Sequence, residues 1–213
     1  MRLTGRRTSS NVDDRRGSSA GKAASLGIGS TIVIGLIMLL MGGDLSSVLQ
    51  MVTSGGGLTG QTEVASDYQP TAEEEELATF ASQILAGTED VWTSIFKENG
   101  LTYQPPKLVL FTNAVKSGCG NASSSSGPFY CSADQTVYID LSFFKDMKKT
   151  LGADGDFAYA YVIAHEVGHH VQYLLGILGD AHGRMQQMSQ SEANKMSVRL
   201  ELQADFFAGI WAH

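Results

Sequence analysis

The sequence predicts an α+β fold: a small sheet and several amphipathic helices, set behind one apolar N-terminal segment. Three observations carry this. Short runs rich in β-branched and aromatic residues at 107–111 and 135–141 stand among longer stretches with helical apolar spacing. An uncharged apolar run, Leu26 to Met41, precedes them all. The stretch after the second strand reads as a helix and contains His165-Glu166-Val167-Gly168-His169, whose spacing puts two imidazoles on one helix face.

Charge is divided unevenly along the chain. Residues 1–25 carry Arg2, Arg6, Arg7, Arg15, Arg16 and Lys22 against Asp13 and Asp14, a net of +4, whereas residues 44–213 carry -11. The basic block is short and has no interleaved aromatics, which argues against a nucleic-acid partner. Residues 1–25, rich in Arg, Ser and Gly, are expected to be a disordered basic tail. With its flanking Ser25 and Gly42-Gly43, the apolar run approaches the length needed to cross a bilayer and has no polar face to suit a buried helix. A cleaved signal peptide is the alternative. No small-x-small site follows and the basic leader is long, which favours an uncleaved transmembrane anchor over residues 26–43. The excess of positive charge before it then puts the N-terminus in the cytoplasm and residues 44–213 outside, periplasmic or extracellular. Residues 44–70, with Gly55-Gly56-Gly57 and many Ser and Thr, read as a flexible linker.

The folded domain is expected over 71–213. Thr71-Ala72-Glu73-Glu74 has the form of a capping box, with acids crowding the first turn. Apolar residues from Leu77 to Phe96 then recur at helical spacing until Asn99-Gly100. Lys107-Leu108-Val109-Leu110-Phe111 reads as a buried strand, and residues 135–141 as a second one with alternating polarity. If this second strand lay at a sheet edge it could pair with an extended peptide; plain internal sheet is the other reading. Between the two strands, Cys119 and Cys131 bracket a turn-forming loop. In an oxidising compartment they would close a small disulfide; free thiols or half of a metal site are the alternatives, and no second pair completes a structural zinc site.

The helix from about Phe157 to Leu175 has an apolar back (Ala160, Ala164, Val167, Val171, Leu174, Leu178) and a face bearing Tyr161, His165, Gly168, His169 and Gln172. Residues 179–191 are polar, a loop or short helix. A last helix starts near Ser191, with Met196, Leu200, Ala204, Phe207 and Ile210 as its stripe.

Two histidines do not complete a catalytic Zn²⁺ site, which usually takes three protein ligands and a water. Glu201 and Asp205, four apart in an otherwise apolar stretch, supply candidates. Glu201 is the expected third metal ligand beside His165 and His169, and Asp205 the acceptor that fixes the His165 tautomer. Glu166, beside the metal but off the ligand line, is the expected general base. Tyr161, His170, His182 and His213 are candidates for stabilising the oxyanion.

Taken with Ser117-Gly118-Cys119-Gly120, Gly127-Pro128-Phe129-Tyr130-Cys131 and Val137-Tyr138-Ile139-Asp140, the motifs His165-Glu166-Val167-Gly168-His169-His170 and Glu201-Leu202-Gln203-Ala204-Asp205 resemble those of the bacterial membrane-anchored neutral zinc metallopeptidases. The resemblance covers nearly the whole chain. It implies a zincin-like domain with Glu201 completing the metal site, acting on a peptide or protein substrate. It also implies a domain that continues beyond Ala212-His213, so that 71–213 is expected to be C-terminally incomplete. Two other readings stay open: a membrane-tethered zinc-binding interaction domain without activity, and a zinc hydrolase of a non-peptide amide.

Overall fold

The computed structural model describes residues 3, 5–17, 68–147 and 155–213, and here the sheet begins far earlier in the chain than its composition suggests. Strand β1 is Val12–Asp14. It is followed by helix α1 (Ala72–Glu98), strands β2 (Lys107–Phe111), β3 (Ala114–Ser117), β4 (Gly120–Ser123), β5 (Phe129–Cys131) and β6 (Thr136–Asp140), and the short helix α2 (Ser142–Asp146). Helices α3 (Asp156–Leu174), α4 (Ile177–Met185) and α5 (Gln190–Ala212) complete the order. The main sheet runs β1-β2-β6-β5. β1, β2 and β6 are mutually parallel, and β5 lies antiparallel to β6 at the edge. β3 and β4 form a separate antiparallel hairpin.

The central strands explain their own placement. Every residue of β6 is buried, as is all of β2 except Lys107. A parallel strand covered on both faces needs such a continuous apolar run. The second strand expected from the sequence is therefore internal, and among the described residues the edges are β1 and β5, neither of which the sequence announced as a strand. Ile84, Leu85 and Trp92 of α1 meet Leu108, Leu110, Val137 and Ile139 of the sheet and Ile163, Val167 and Val171 of α3 in one core. Each such side chain contributes roughly 1.5–3 kcal/mol by leaving water.

The expectation of a disordered tail is corrected for residues 5–17. β1 pairs with β2 in the register Val12–Leu108, Asp13–Val109, Asp14–Leu110. The arginines that suggested a solvated tail are instead partners of α1. Arg7 contacts Glu89 at 2.8 Å and Asp90 at 2.7 Å. Arg16, with only 4% of its side chain exposed, contacts Glu75 at 2.9 Å. Ser9 donates its main-chain N–H to the Ser82 carbonyl at 3.1 Å. Acidic groups spread along one helix thus neutralise a basic arm, a pairing between segments more than fifty residues apart. A strand and the sheet it extends must share one compartment, which conflicts with a cytoplasmic N-terminus joined by a single crossing to an outer domain. The expected anchor (26–43) and nearly all of the linker lie outside the described residues. Among the described residues no helix is long and apolar enough to cross a membrane.

The capping box at Thr71 is present: its hydroxyl accepts from the Glu74 N–H while the Glu74 carboxylate accepts from the Thr71 N–H. Ser189 and Glu192 repeat the device at the start of α5. Gly176, at φ +76°, ends α3 at Leu174, one residue from the expected end, so Leu178 cannot lie on its apolar back. Leu178 therefore belongs to α4, where it packs with Ala181 and Leu200. Helices α3 and α5 approach closely at Gly168. A Cβ there would lie 2.8 Å from the Ala204 carbonyl oxygen, so any larger residue would push away the helix that carries Glu201 and Asp205.

Candidate metal centre

That close approach builds the site. His165 and His169, one turn apart on α3, present their Nε2 atoms 3.2 and 3.4 Å from the same Glu201 carboxylate oxygen. The rings stand nearly perpendicular, 88° between planes, with centroids 4.9 Å apart. One ligand atom from each of the three residues lies within 4.8 Å of the others. Both far nitrogens are occupied. His165 Nδ1 is 2.8 Å from an Asp205 carboxylate oxygen, which also accepts the Tyr161 hydroxyl at 3.0 Å. His169 Nδ1 is 2.9 Å from the Gln172 side-chain oxygen. With these acceptors on Nδ1, the proton of each neutral ring sits there and Nε2 keeps its lone pair for a metal. Two imidazoles and a carboxylate, converging from two rigid helices, suit Zn²⁺ with a position left for water.

Glu166 is 8% exposed and lies beside the ligands. Burial raises its carboxyl pKa; the neighbouring His169 and His165 oppose this, as does the nearby Tyr130 main chain. Burial that disfavours the charged carboxylate makes the group a stronger proton acceptor than a free carboxylate, as a general base requires. Two cavities meet at this residue. One, of about 400 Å³, is lined by Phe129, Tyr130, His182 and Met185 as well as His165, Glu166, His169 and Glu201. The other, of about 360 Å³, has an almost wholly apolar wall of Pro128, Phe143, Tyr161 and Val162 and shares His165 and Glu166. The edge strand β5 borders the first.

The oxyanion candidates separate by position. Tyr161 and His182 each line one of these cavities, His213 lines neither, and His170 is fully buried away from both. Cys119 and Cys131 form the disulfide, with Cα atoms 5.8 Å apart, tying the β3–β4 hairpin to β5.

The sequence put Gln172 on the site-bearing face without giving it a role, and gave none to Tyr130 or Gln104. Gln172, with no exposed surface, accepts from His169 and donates to the Leu200 carbonyl at 2.7 Å and to Gln203 at 3.1 Å. It sits three residues after His169, a spacing that could have flagged it. Tyr130 and Gln104 are the partners of His170, at 2.9 and 2.6 Å; they come from distant segments and left no local signal.

Comparisons with known proteins agree with this geometry. All of residues 1–213 match the model of a family described as "Putative neutral zinc metallopeptidase". The chain is similar to the uncharacterized protein YpfJ of Escherichia coli (strain K12), 50% identical over 220 aligned residues that cover all of this chain and 75% of that protein. It is also similar to the uncharacterized proteins Mb2605 of Mycobacterium bovis and Rv2575 of Mycobacterium tuberculosis, each 51% identical over 112 residues, 52% of this chain and 36% of each relative. No solved structure matches. With the two-helix His-His-Glu cluster in place and the match running from its first residue to its last, the chain belongs to the neutral zinc metallopeptidase family.

Proposed function

We propose that this domain hydrolyses peptide bonds, with His165, His169 and Glu201 as zinc ligands and Glu166 as general base. The observation that carries the reading is the convergence of three donors from α3 and α5 beside a buried carboxyl, in a cavity open to a substrate. Zinc held there would act as a Lewis acid and make a water acidic at neutral pH. Glu166 accepts the proton of the water that attacks the substrate carbonyl carbon. It then delivers that proton to the amide nitrogen, the C–N bond breaks, and a carboxylic acid and an amine leave. Of the oxyanion candidates, His182 lines the cavity of the three donors and would donate to the oxyanion, whereas the Tyr161 hydroxyl already donates to Asp205.

A peptide is favoured over other amides by β5. Its free edge borders the cavity and offers main-chain groups with which an extended segment can pair. The Cys119–Cys131 disulfide supports an oxidising compartment outside the cytoplasm, and residues 5–17 would share it.

The test is Glu166→Gln in the full chain, with zinc content measured by atomic absorption and cleavage of fluorescein-labelled casein followed in parallel. Zinc should be retained while cleavage falls by about 10²- to 10⁴-fold, the usual contribution of a positioned acid–base group. Equal cleavage by wild type and variant would remove Glu166 from the role.

A further inference from the structure

Of the two cavities that meet at Glu166, one is lined by all three metal donors and the other by His165 alone. This second cavity holds about 360 Å³, in the range of pockets that take a small organic group, roughly 300–1,000 Å³. Its walls come from three places in the chain. Tyr161 and Val162 lie on α3 one turn before His165 and Glu166, Phe143 on α2, and Gly127 and Pro128 in the segment that leads into β5.

Those walls have almost nothing polar to offer. The Tyr161 hydroxyl is the exception by type, and it is already engaged with Asp205 at 3.0 Å. Phe143 and Val162 pack against the core, line the cavity and stay only half-buried. Gly127 leaves Phe143 uncovered: a Cβ there would already touch its ring at 3.7 Å, and a φ of +67° favours glycine. The apolar surface continues past the wall, because Phe157, 56% exposed, lies against Tyr161 with ring centroids 6.3 Å apart. An apolar side chain entering this hollow takes its own surface and the wall's out of water together. An acidic one meets Glu166, with no Lys or Arg among the lining residues to balance it.

The chemistry decides which substrate residue this is. The scissile carbonyl goes to the three donors, which converge in the first cavity. The departing nitrogen goes to Glu166, which both cavities share. The side chain nearest that nitrogen belongs to the residue that leaves as the amine. We propose that the apolar cavity is a specificity pocket: it takes a large apolar side chain, such as phenylalanine, leucine or methionine, from the residue on the amine side of the scissile bond, and Phe143 and Val162 set its size. This deepens the peptidase reading and rests on it for the position of the scissile bond; the apolar selectivity of the cavity does not.

Two measurements on the zinc-loaded full chain test the two parts. In the first, casein is digested and the new N-termini are read by mass spectrometry, each beginning with the residue that left as the amine. Phenylalanine, leucine and methionine should be enriched there about tenfold over their share of casein, and aspartate and glutamate depleted. The second needs no cleavage. Glu166→Gln is titrated, by fluorescence anisotropy, against fluorescein-labelled oligoglycine carrying a single tryptophan, phenylalanine, alanine or aspartate. The phenylalanine peptide should bind about 10- to 100-fold more tightly than the alanine peptide, and the aspartate peptide most weakly. Val162→Phe fills the cavity and should cut the phenylalanine-over-alanine ratio at least about fivefold in both measurements. Phe143→Ala widens it and should move the preference to tryptophan, a gain that a misfolded variant cannot show. New N-termini without apolar enrichment would overturn the proposal. So would an apolar preference confined to the carboxyl side of the cut, or ratios that neither variant moves. If wild type cleaves casein no faster than Glu166→Gln, the peptidase reading fails instead. The binding ratios then still decide the pocket, and equal affinity for the phenylalanine and alanine peptides removes it.

Discussion

Replacing Gln172 by leucine should separate metal binding from folding in a way the structure allows to be sized. The leucine keeps the volume and removes three contacts: the acceptor for His169 Nδ1 at 2.9 Å, and the donors to Leu200 at 2.7 Å and Gln203 at 3.1 Å. The folding cost is modest. The Leu200 carbonyl lies within α5 and keeps its helical partner, and the His169 side chain is 14% exposed, so water can reach it. We expect a loss of about 1–2 kcal/mol in the zinc-free protein. The metal term is larger in consequence. Without its acceptor the His169 ring can turn or change tautomer, and second-partner losses of this kind weaken zinc about 10- to 100-fold. Gln172→Glu makes the opposite trade. A carboxylate still accepts from His169 and raises its basicity, but it cannot donate to Leu200 and it faces the Gln203 oxygen. Zinc affinity should stay at or above wild type while zinc-free stability drops further than in the leucine variant. Competition with a chromophoric chelator reads affinity, and urea unfolding of chelator-stripped protein reads stability. Wild-type affinity in Gln172→Leu, or equal weakening in both variants, would refute the assignment of Gln172 to the His169 tautomer.

Three further outcomes are expected. Burial lowers the pKa of His170 to about 4. As pH falls the unfolded chain therefore takes up the proton first, and the stability of the neutral ring, complete above about pH 6.5, is lost on the way to pH 4. The stability gap between zinc-free wild type and His170→Phe should narrow by about 3 kcal/mol across that range; a constant gap in urea titrations would show that the ring is not neutral and buried. Reduction of the Cys119–Cys131 disulfide, which closes a loop of sequence separation 12, should cost about 3 kcal/mol, read as the difference in urea unfolding with and without dithiothreitol; no difference would mean the bridge constrains nothing. Single cysteines introduced at the exposed Ser10 and Ser191 should react together or not at all with a membrane-impermeant maleimide on intact cells, because β1 and α5 belong to one compact unit; labelling of one alone would break the pairing of β1 with β2.

The parts of the molecule that the sequence revealed are those whose cause is local. The capping box at Thr71, the strand at Lys107–Phe111, buried after its first residue, and the i, i+4 spacing of His165–His169 and Glu201–Asp205 each depend on neighbours within a few residues. Periodicity alone could place them. The joining of the two ligand-bearing helices was legible only as a need for a third ligand. What satisfies it physically is the missing Cβ of Gly168 against Ala204, which no pattern within either helix records.

The misreadings have one cause as well. Composition describes what a segment would do alone, and residues 5–17 alone would be a solvated basic tail. Their order comes from Glu75, Glu89 and Asp90, acids spaced along α1 that by themselves look like an ordinary solvated helix face. Neither half carries the information; the pairing does. β5 is the same case on a smaller scale. Three residues with no alternation gave no strand signal. The strand exists because β6 supplies one set of hydrogen bonds, Cys119 a covalent tie and His170 a side-chain anchor. Three remote partners fix the position of a strand that its own sequence leaves undetermined. The edge bordering the metal cavity should therefore be the part of the site most sensitive to substitutions that touch neither metal nor substrate.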